Sequence, residues 1–426
     1  MIEQGHIMIM VPVQPDRLAA LRDLLASMNA LPGLADPLNP LVPFSRFAAI
    51  HVARFVILDD PTLGDRGAYP ADVFPDEKIF LAFIADCDGP GDELLRLLAD
   101  EANDGLLRIF GHCVDPPQQT SLLDWMRGRN VEATTYYVNW VGRTVRQVQE
   151  EARLHAILAE ALPRLKTQKP LELCNALRAE VRRQGLVLTP VEGKTFSQLV
   201  THIFGFMSLP LILLILSPVL VLAAPFFVLI LRGREKSDPI IIPRPDPADI
   251  RTMSVREDHD VTNPFSAIGS LKPGAFRRYL TVAILRTVNW STRYIYTRGR
   301  LARVGTIHFA RWVLIDDDRR VLFASNYDGS LESYMDDFIN KVAFGLNLVF
   351  SNGIGYPATK FLVSGGASRE HEFKNFLRRH QIRTDVWYKA YPGLTTRDLA
   401  RNGRIRLGFE KDNMTDDEGR SWLAEI

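Results

Sequence analysis

The chain has 426 residues, enough for two or three domains, and 46% of them are apolar, so it can bury sizeable cores. The 51 basic and 50 acidic residues nearly cancel, which argues against nucleic acid as a partner. The three cysteines, Cys87, Cys113 and Cys174, form no CxxC pair and no zinc-ligand spacing. This cysteine pattern argues against a disulfide framework and favours a reducing compartment.

The first 150 residues predict alternating strands and helices. Apolar residues recur at Leu18, Leu21 and Leu25, a spacing typical of one helix face. The predicted elements are a strand at 6–13, a helix at 15–28, strands at 48–58 and 79–85, a helix at 91–110 and a strand at 132–139. This βαββαβ order is that of a ferredoxin-like unit, whose sheet has helices on one face and needs a partner on the other.

A long apolar segment follows a predicted helical connector at 151–200. Residues 195–231 contain no Asp, Glu, Lys or Arg, and the 29 residues at 203–231 are almost purely apolar. A soluble core helix rarely runs so long without a polar face. The sequence therefore predicts a membrane-embedded segment at 201–232 and a lipid bilayer as partner, with a buried inter-domain helix as the alternative.

Three prolines bear on how this segment enters a membrane. As one straight helix, its 29 apolar residues would be about 43 Å long, against about 30 Å of hydrocarbon. Pro210, Pro218 and Pro225 interrupt it, and we expect a hairpin folded at Pro218. Lys194 and Arg232 flank the segment, so the positive-inside tendency places both halves of the chain on the cytoplasmic side. A tilted single span is the competing geometry.

The second half repeats the order of the first after a linker at 233–262. Residues 263–412 predict strands at 267–271, 306–315, 320–325 and 383–389, with a helix from Pro273 and another at 330–350. A C-terminal tail is expected at 413–426. The basic, aromatic helix at 276–303 has two open interpretations: it rests on anionic headgroups, or it covers its own sheet with a solvated basic face.

The two halves are copies of one unit. Residues 50–60 (IHVARFVILDD) return as 307–317 (IHFARWVLIDD), with seven of eleven positions identical. Two further blocks repeat in the same order, and a 17-residue insertion in the first copy, at 61–77, has the composition of a loop. The sequence therefore predicts an α+β protein of tandem duplicated ferredoxin-like units. We expect them to pair sheet to sheet as an intramolecular α/β barrel, with a membrane hairpin inserted between them.

A His-x-Ala-Arg motif occurs in both copies, as His51 with Arg54 and as His308 with Arg311. On a regular strand the histidine and the arginine point to opposite faces. A histidine at a cavity could ligate haem iron or act as a general base, and an arginine there could stabilise an anion or a peroxide. The alternative is a structural role inside each copy, which the presence of the motif in both copies favours.

Other candidate residues lie near these strands. Asp88 and Asp328 each precede a glycine between a strand and a helix, where a turn or N-cap role is the simpler interpretation. If one copy holds a site, we favour the second, because its aromatic residues could line a ligand cavity. These aromatic residues are Trp312, Tyr327, Trp387 and Tyr388. Ordinary core packing is the alternative for them.

The duplicated unit resembles the dimeric α/β-barrel superfamily. The strand-turn-helix at 319–338 (RRVLFASNYDGSLESYMDDF) looks most like the dye-decolourising peroxidase and chlorite-dismutase branch. The resemblance implies haem in the C-terminal copy, with His308 as the ligand of the haem iron and Arg311 and Asp328 as distal catalytic groups.

Two functional hypotheses follow. The first is a membrane-anchored haem-dependent peroxidase or oxygenase that acts on a lipophilic small molecule. The second is a non-catalytic, membrane-associated protein that binds a lipid or a partner, with a homo-oligomer compatible with either. An open cavity beside His308 favours the first hypothesis, and a tightly packed His308 favours the second.

Overall fold

The computed structural model describes residues 1–70, 74, 77–118, 121–165 and 169–426 and shows a mixed α/β protein. The predicted loop at 61–77 lies partly outside the described residues. The first half contains β1 (Gln4–Pro12), α1 (Leu18–Ala26), β2 (Asn29–Leu31), β3 (Leu34–Ala35), β4 (Ile50–Leu58), β5 (Phe80–Asp88), α2 (Gly91–Glu101), α3 (Asn103–Phe110), α4 (Leu122–Arg127), β6 (Thr135–Val138) and α5 (Val145–Ala161). The connector contains α6 (Pro170–Arg183), α7 (Phe196–Ser237) and α8 (Pro247–Ser254).

The second half repeats this order. It contains β7 (Thr262–Ser270), α9 (Ala275–Tyr294), β8 (Ile307–Ile315), β9 (Arg320–Asp328), α10 (Leu331–Phe350), β10 (Thr359–Lys360), β11 (Ser364–Gly365), α11 (Glu370–His380), β12 (Thr384–Lys389), α12 (Thr396–Glu410) and α13 (Asp416–Leu423). The predicted strands and helices of both copies are present with ends shifted by a few residues. The tail expected after residue 412 instead contains α13, whose Trp422 is buried.

The two sheets exchange their last strands. The first sheet has the order β1-β5-β4-β12-β3-β2, and the second has the order β6-β8-β9-β7. Strand β12 of the second copy therefore pairs with β4 of the first, and β6 of the first copy pairs with β8 of the second. Each sheet is completed by the other half of the chain, so neither half forms its sheet alone.

The chain bonds to its own copy before it crosses to the other. Ahead of β6, Val131 N donates to Met8 O at 2.8 Å, on β1. Ahead of β12, Ile382 N donates to Ser266 O at 2.8 Å, on β7. The segment that enters β6 thus links β1 to β8, and the segment that enters β12 links β7 to β4.

The core is built in layers. On the outer face of the first sheet, Phe55 and Phe83 belong to a cluster with residues of α1 to α4. On the outer face of the second sheet, Phe323 packs with residues of α9 to α11. Between the sheets, Val56 and Leu322 belong to one cluster with side chains from both halves. The two sheets therefore face each other, and their helices lie outside.

The expected hairpin at Pro218 is wrong, because α7 is one continuous helix of 42 residues that runs through Pro210, Pro218 and Pro225. Proline at 218 removes the N–H that would bond the carbonyl of Leu214. The hydroxyl of Ser217 donates to that carbonyl at 2.7 Å and replaces the missing donor. Among the described residues, α7 is the one helix long and apolar enough to cross a membrane.

Candidate functional site

The histidines of the repeated motif are the extra residues of two β-bulges. The register of β8 against β9 shifts between Ile307 and Phe309, and the register of β4 against β5 shifts between Ile50 and Val52. A bulge re-aims the side chain of its extra residue. Neither strand is regular at its histidine, so the alternation expected of a regular strand does not by itself fix the directions of the histidine and the arginine.

Each histidine binds the aspartate that ends the neighbouring strand. His308 Nε2 lies 2.7 Å from Asp328 Oδ1, and His51 Nε2 lies 2.8 Å from Asp88 Oδ1. Gly329, which follows Asp328, has φ of 85°, and Gly89 has φ of 72°. This left-handed backbone favours glycine and turns the chain sharply after each aspartate.

The second oxygen of each aspartate holds the start of a helix. Asp328 Oδ2 accepts from Thr396 N at 2.7 Å at the start of α12, and Asp88 Oδ2 accepts from Val145 N at 2.9 Å at the start of α5. A carboxylate bonded to the first N–H groups of a helix satisfies donors that have no partner within the helix. The aspartates thus join a strand, a histidine and a helix in both copies.

Burial and hydrogen bonding shift the pKa values of His308 and Asp328, the pair in the second copy. Burial lowers the pKa of His308, an effect that Asp328 partly offsets. For Asp328, burial opposes ionisation, but the charge of His308 and the bonds to it and to Thr396 hold its pKa below the usual value. His308 and Asp328 are only 2% and 9% exposed, and both carboxylate oxygens of Asp328 have hydrogen-bond partners.

The side chains of the motif arginines lie between the two sheets. Each binds the sheet that contains the first strand of the other copy. Arg311 Nη1 donates to Ile7 O at 3.0 Å, and its Nη2 donates to Ala85 O at 3.3 Å and to Asp86. Arg311 therefore does not line one cavity together with His308 and Asp328, although the family resemblance implies that all three are site residues. It binds the backbone of the first sheet.

Sequence comparison of the two copies misses two residues beside the pairs. The Tyr391 hydroxyl lies 3.1 Å from His51 Nδ1, and its ring centroid lies 6.5 Å from that of His308. Lys389 Nζ donates to Thr262 Oγ1 at 2.6 Å, next to Asp328, and burial lowers the pKa of Lys389 to about 8. Neither residue is repeated in the first copy, so a comparison of the two copies does not mark them as candidate site residues.

The aromatic candidates are core residues. Trp312 packs on Phe323 with ring centroids 4.6 Å apart, on the outer face of the second sheet. Tyr327 stacks on Tyr334 at 4.0 Å, and Tyr388 belongs to the core of the first sheet. Among the four, Trp387 lies beside a charged group, since the Arg54 guanidinium is 4.9 Å from its ring centroid. The packing alternative fits these positions.

The residues around His308 do not fit a haem. The cavity that touches both His51 and His308 has a volume of about 20 Å³, room for about one water molecule. A ligand of drug size needs about 300 Å³ or more. His308 Nε2 is also bonded to Asp328, and Thr262 Oγ1 lies 3.3 Å away from it. Within the described part of the chain, no three His, Cys, Asp or Glu side chains converge as a metal site.

Comparison with known proteins adds no family assignment. The sequence matches no protein-family model, and a search of curated proteins gives no match.

Proposed function

We propose that this chain is a non-catalytic, membrane-associated binding protein that α7 holds flat against the bilayer. The observation that carries the proposal is that α7 contacts the same body at both of its ends, while its apolar centre is exposed. The two histidine–aspartate pairs then serve the fold, because each fastens a helix to a strand.

The N-terminal part of α7 is bound to the C-terminal part of α9. Trp290 Nε1 donates to Gly205 O at 3.0 Å, and the Trp290 ring stacks on Phe206 with centroids 5.7 Å apart. The rings of His202 and Tyr294 lie 5.2 Å apart one turn further on. These contacts hold the first part of α7 on the helix that covers the second sheet.

The C-terminal part of α7 is bound to the same body. Phe227 meets Phe276, at the start of α9, with ring centroids 5.5 Å apart. Glu235 accepts from the backbone N–H groups of Phe361 at 3.0 Å and Leu362 at 2.9 Å. Asp238, just after α7, accepts from Lys272 Nζ at 2.9 Å. Helix α7 therefore lies antiparallel along α9, and this contact covers part of the basic helix predicted at 276–303.

The rest of α7 offers a surface that water solvates poorly. The most apolar 18-residue stretch of α7 has no buried residue. Its exposed apolar side chains include Leu213, Leu214, Ile215, Val221, Leu222 and Leu229. An exposed apolar surface of this extent is typical of a membrane or partner contact. The 29 apolar residues at 203–231 form about 43 Å of α7, more than a hydrocarbon layer of about 30 Å requires, and both ends of the helix are bound to one body, so α7 suits the plane of the bilayer better than an upright span.

The body that α7 carries is, in this proposal, an intramolecular α/β barrel of two ferredoxin-like units related to the dimeric α/β-barrel superfamily. The exchange of β6 and β12 and the bonds of both crossing segments support it, because they connect the strands of the two sheets in a ring. Both halves then lie on one side of the membrane. The cytoplasmic identity of that side stays a prediction from the flanking charges.

Cysteine labelling from one side of sealed vesicles tests the proposal. Ser197→Cys and Ser237→Cys place thiols at the two exposed ends of α7, while the native Cys87, Cys113 and Cys174 are buried. A membrane-impermeant maleimide is expected to label both variants from the same side. Labelling of only one would mean that α7 leaves α9 and crosses the bilayer. Failure of the chain to float with phosphatidylcholine vesicles would overturn the membrane association itself.

A further inference from the structure

A cavity with arginine walls lies where three distant parts of the chain meet. Its volume is about 330 Å³, at the lower end of the range for small-molecule sites. The walls come from α1 and the end of β4, from the start of α8 and the residues before it, and from the end of α11 with the residues between α11 and β12. The five arginines among its lining residues are Arg22, Arg244, Arg378, Arg379 and Arg383. Three aspartates also line it, so positive charge is in excess.

Carboxylates outside the cavity hold several of these guanidinium groups from behind. Arg379 makes two bonds to Asp65, at 2.7 and 2.9 Å, and Arg383 Nη2 lies 2.7 Å from Asp385. Neither aspartate lines the cavity. An arginine that a carboxylate already holds in place loses less side-chain freedom when a ligand binds it. The N–H groups that the carboxylate does not use remain available to that ligand. The cavity thus presents oriented donors.

One arginine of this cavity has no counter-charge within the described part of the chain, whereas the other four are each ion-paired. Arg244 is exposed and has no ion-pair partner among the described residues. Burial lowers the pKa of Arg256, which lies nearby, and the charge of Arg383 lowers it further, with Asp385 in opposition and Arg22 adding to the effect. These guanidinium groups repel one another, and a bound anion would relieve that repulsion.

Two of the cavity's arginines have no basic counterpart in the first copy. The residues that pair with the first strand of each copy are Asn130 and Gln381, which fixes the correspondence. At the same offset, Arg383 corresponds to Glu132, and Arg379 corresponds to Gly128. The histidine–aspartate pairs occur in both copies because both need them for folding. Arg379 and Arg383 have no such repeat, as expected for residues that bind a ligand, whereas Arg378 corresponds to Arg127.

We propose that this cavity binds a phosphate group, carried by a soluble phosphorylated molecule or by a phospholipid headgroup. Arginine is suited to phosphate because its planar N–H pairs match two phosphate oxygens. The segment that supplies Arg244 also connects α7 to α8, so the ligand would contact the chain that leaves the membrane helix. The inference names a ligand class for the membrane-associated binding role proposed above and rests on it.

Calorimetric titration of the full chain in neutral detergent with inorganic pyrophosphate tests the soluble source. Arg244→Gln removes an exposed side chain without an ion pair, so the fold is expected to survive. We expect it to weaken binding about tenfold, the value of one charge-assisted hydrogen bond. Arg127→Gln is the matched control, because Arg127 occupies the position of Arg378 in the first copy and does not line the cavity. It is expected to bind as the unmodified chain does.

Flotation with vesicles tests the lipid source. If phosphatidic acid increases flotation of the unmodified chain but not of Arg244→Gln, the ligand is a headgroup, and the proposal stands even without pyrophosphate binding. The proposal is overturned if neither phosphate source binds, or if Arg244→Gln and Arg383→Gln both bind as the unmodified chain does. Flotation of Arg244→Gln with phosphatidylcholine vesicles reports on α7, because this variant lacks the unpaired cavity arginine, so failure of the cavity and failure of the membrane role are distinguishable.

Discussion

Arg54 and Arg311 occupy equivalent positions in the two copies, and each binds backbone carbonyls of the opposite half. Arg54 Nη1 donates to Phe265 O at 2.9 Å and its Nη2 donates to Ser325 O at 2.9 Å, while Arg311 reaches Ile7 and Ala85. The acceptors are also equivalent in the two copies. The arginines therefore fasten the two sheets to each other symmetrically.

The two copies differ at one charged residue beside these arginines. Arg311 is paired with the buried carboxylate of Asp86, while the equivalent residue on β9 is the neutral Asn326. Burial lowers the pKa of Arg54 to about 9. We expect Arg54→Met to reduce the free energy of unfolding by about 2–4 kcal/mol, because two carbonyls lose their donors. Arg311→Met should cost about 3–5 kcal/mol, because it also leaves a buried carboxylate unpaired.

The ordering of these two variants is the informative result. Denaturant unfolding at neutral pH measures both, and Asp86→Asn in the Arg311→Met background should recover part of the loss. Equal losses for Arg54→Met and Arg311→Met, without recovery in the double variant, would contradict the role assigned to Asp86.

The sequence predicts the order of strands and helices in each copy because hydrophobic periodicity and turn residues are local signals. It does not predict the exchange of β6 and β12, since a strand pairs equally well with either sheet until its neighbours are known. In helix α7, by contrast, a local sequence signal predicts a break that the structure does not have. The prolines indicate a break, but the hydroxyl of Ser217 satisfies the carbonyl of Leu214 and the helix continues.

The sequence likewise predicts only part of the candidate site. Repetition marks His308, Arg311 and Asp328, but it cannot separate a fold-stabilising role from catalysis. The bulge that turns His308 toward Asp328 depends on pairing between β8 and β9, which is a property of the sheet. The arginine cavity joins Arg22 to Arg383 from opposite ends of the chain, and no local pattern connects them.

Asp88 and Asp328 should have similar structural roles. Asp328→Asn and Asp88→Asn each remove the charge that accepts the first N–H of a helix. We expect each to lower the free energy of unfolding by about 1–3 kcal/mol, with the larger loss at Asp328, whose oxygens also accept from Thr262 and Thr396. Denaturant unfolding followed by circular dichroism measures the losses. No loss at Asp88 would mean that the two pairs are not equivalent.

Haem binding gives a direct test of the catalytic alternative. We expect the purified chain, incubated with haemin and passed through gel filtration, to keep no Soret band, because the cavity beside His308 has a volume of about 20 Å³. A retained band that disappears in His308→Ala would contradict this and restore the haem-dependent oxidoreductase hypothesis. His51→Ala is the matched control for loss of the equivalent histidine.

Stability should fall as the pH drops below about 6.5, the usual pKa of histidine. Burial lowers the pKa of His6 to about 3, and the charges of Arg311 and Arg293 contribute. The unfolded chain therefore binds a proton at His6 between about pH 6.5 and pH 3 that the folded chain does not. Each such histidine costs up to about 1.4 kcal/mol per pH unit over that range. His6→Gln should make the fall shallower in unfolding measurements from pH 7 to pH 5, and an unchanged slope would contradict the assignment.

The contact between α7 and α9 depends on a glycine. A Cβ at Gly205 would lie 2.0 Å from the Tyr294 hydroxyl, whereas a Cβ at Gly233, on the same helix, would meet nothing within 4 Å. Gly205→Leu should therefore push the first part of α7 away from α9, while Gly233→Leu leaves it in place. Hydrogen exchange in detergent measures this as faster exchange at the N-terminal part of α7 in Gly205→Leu alone. If both variants exchange alike, α7 is not held by this contact, and the flat orientation on the bilayer loses its structural support.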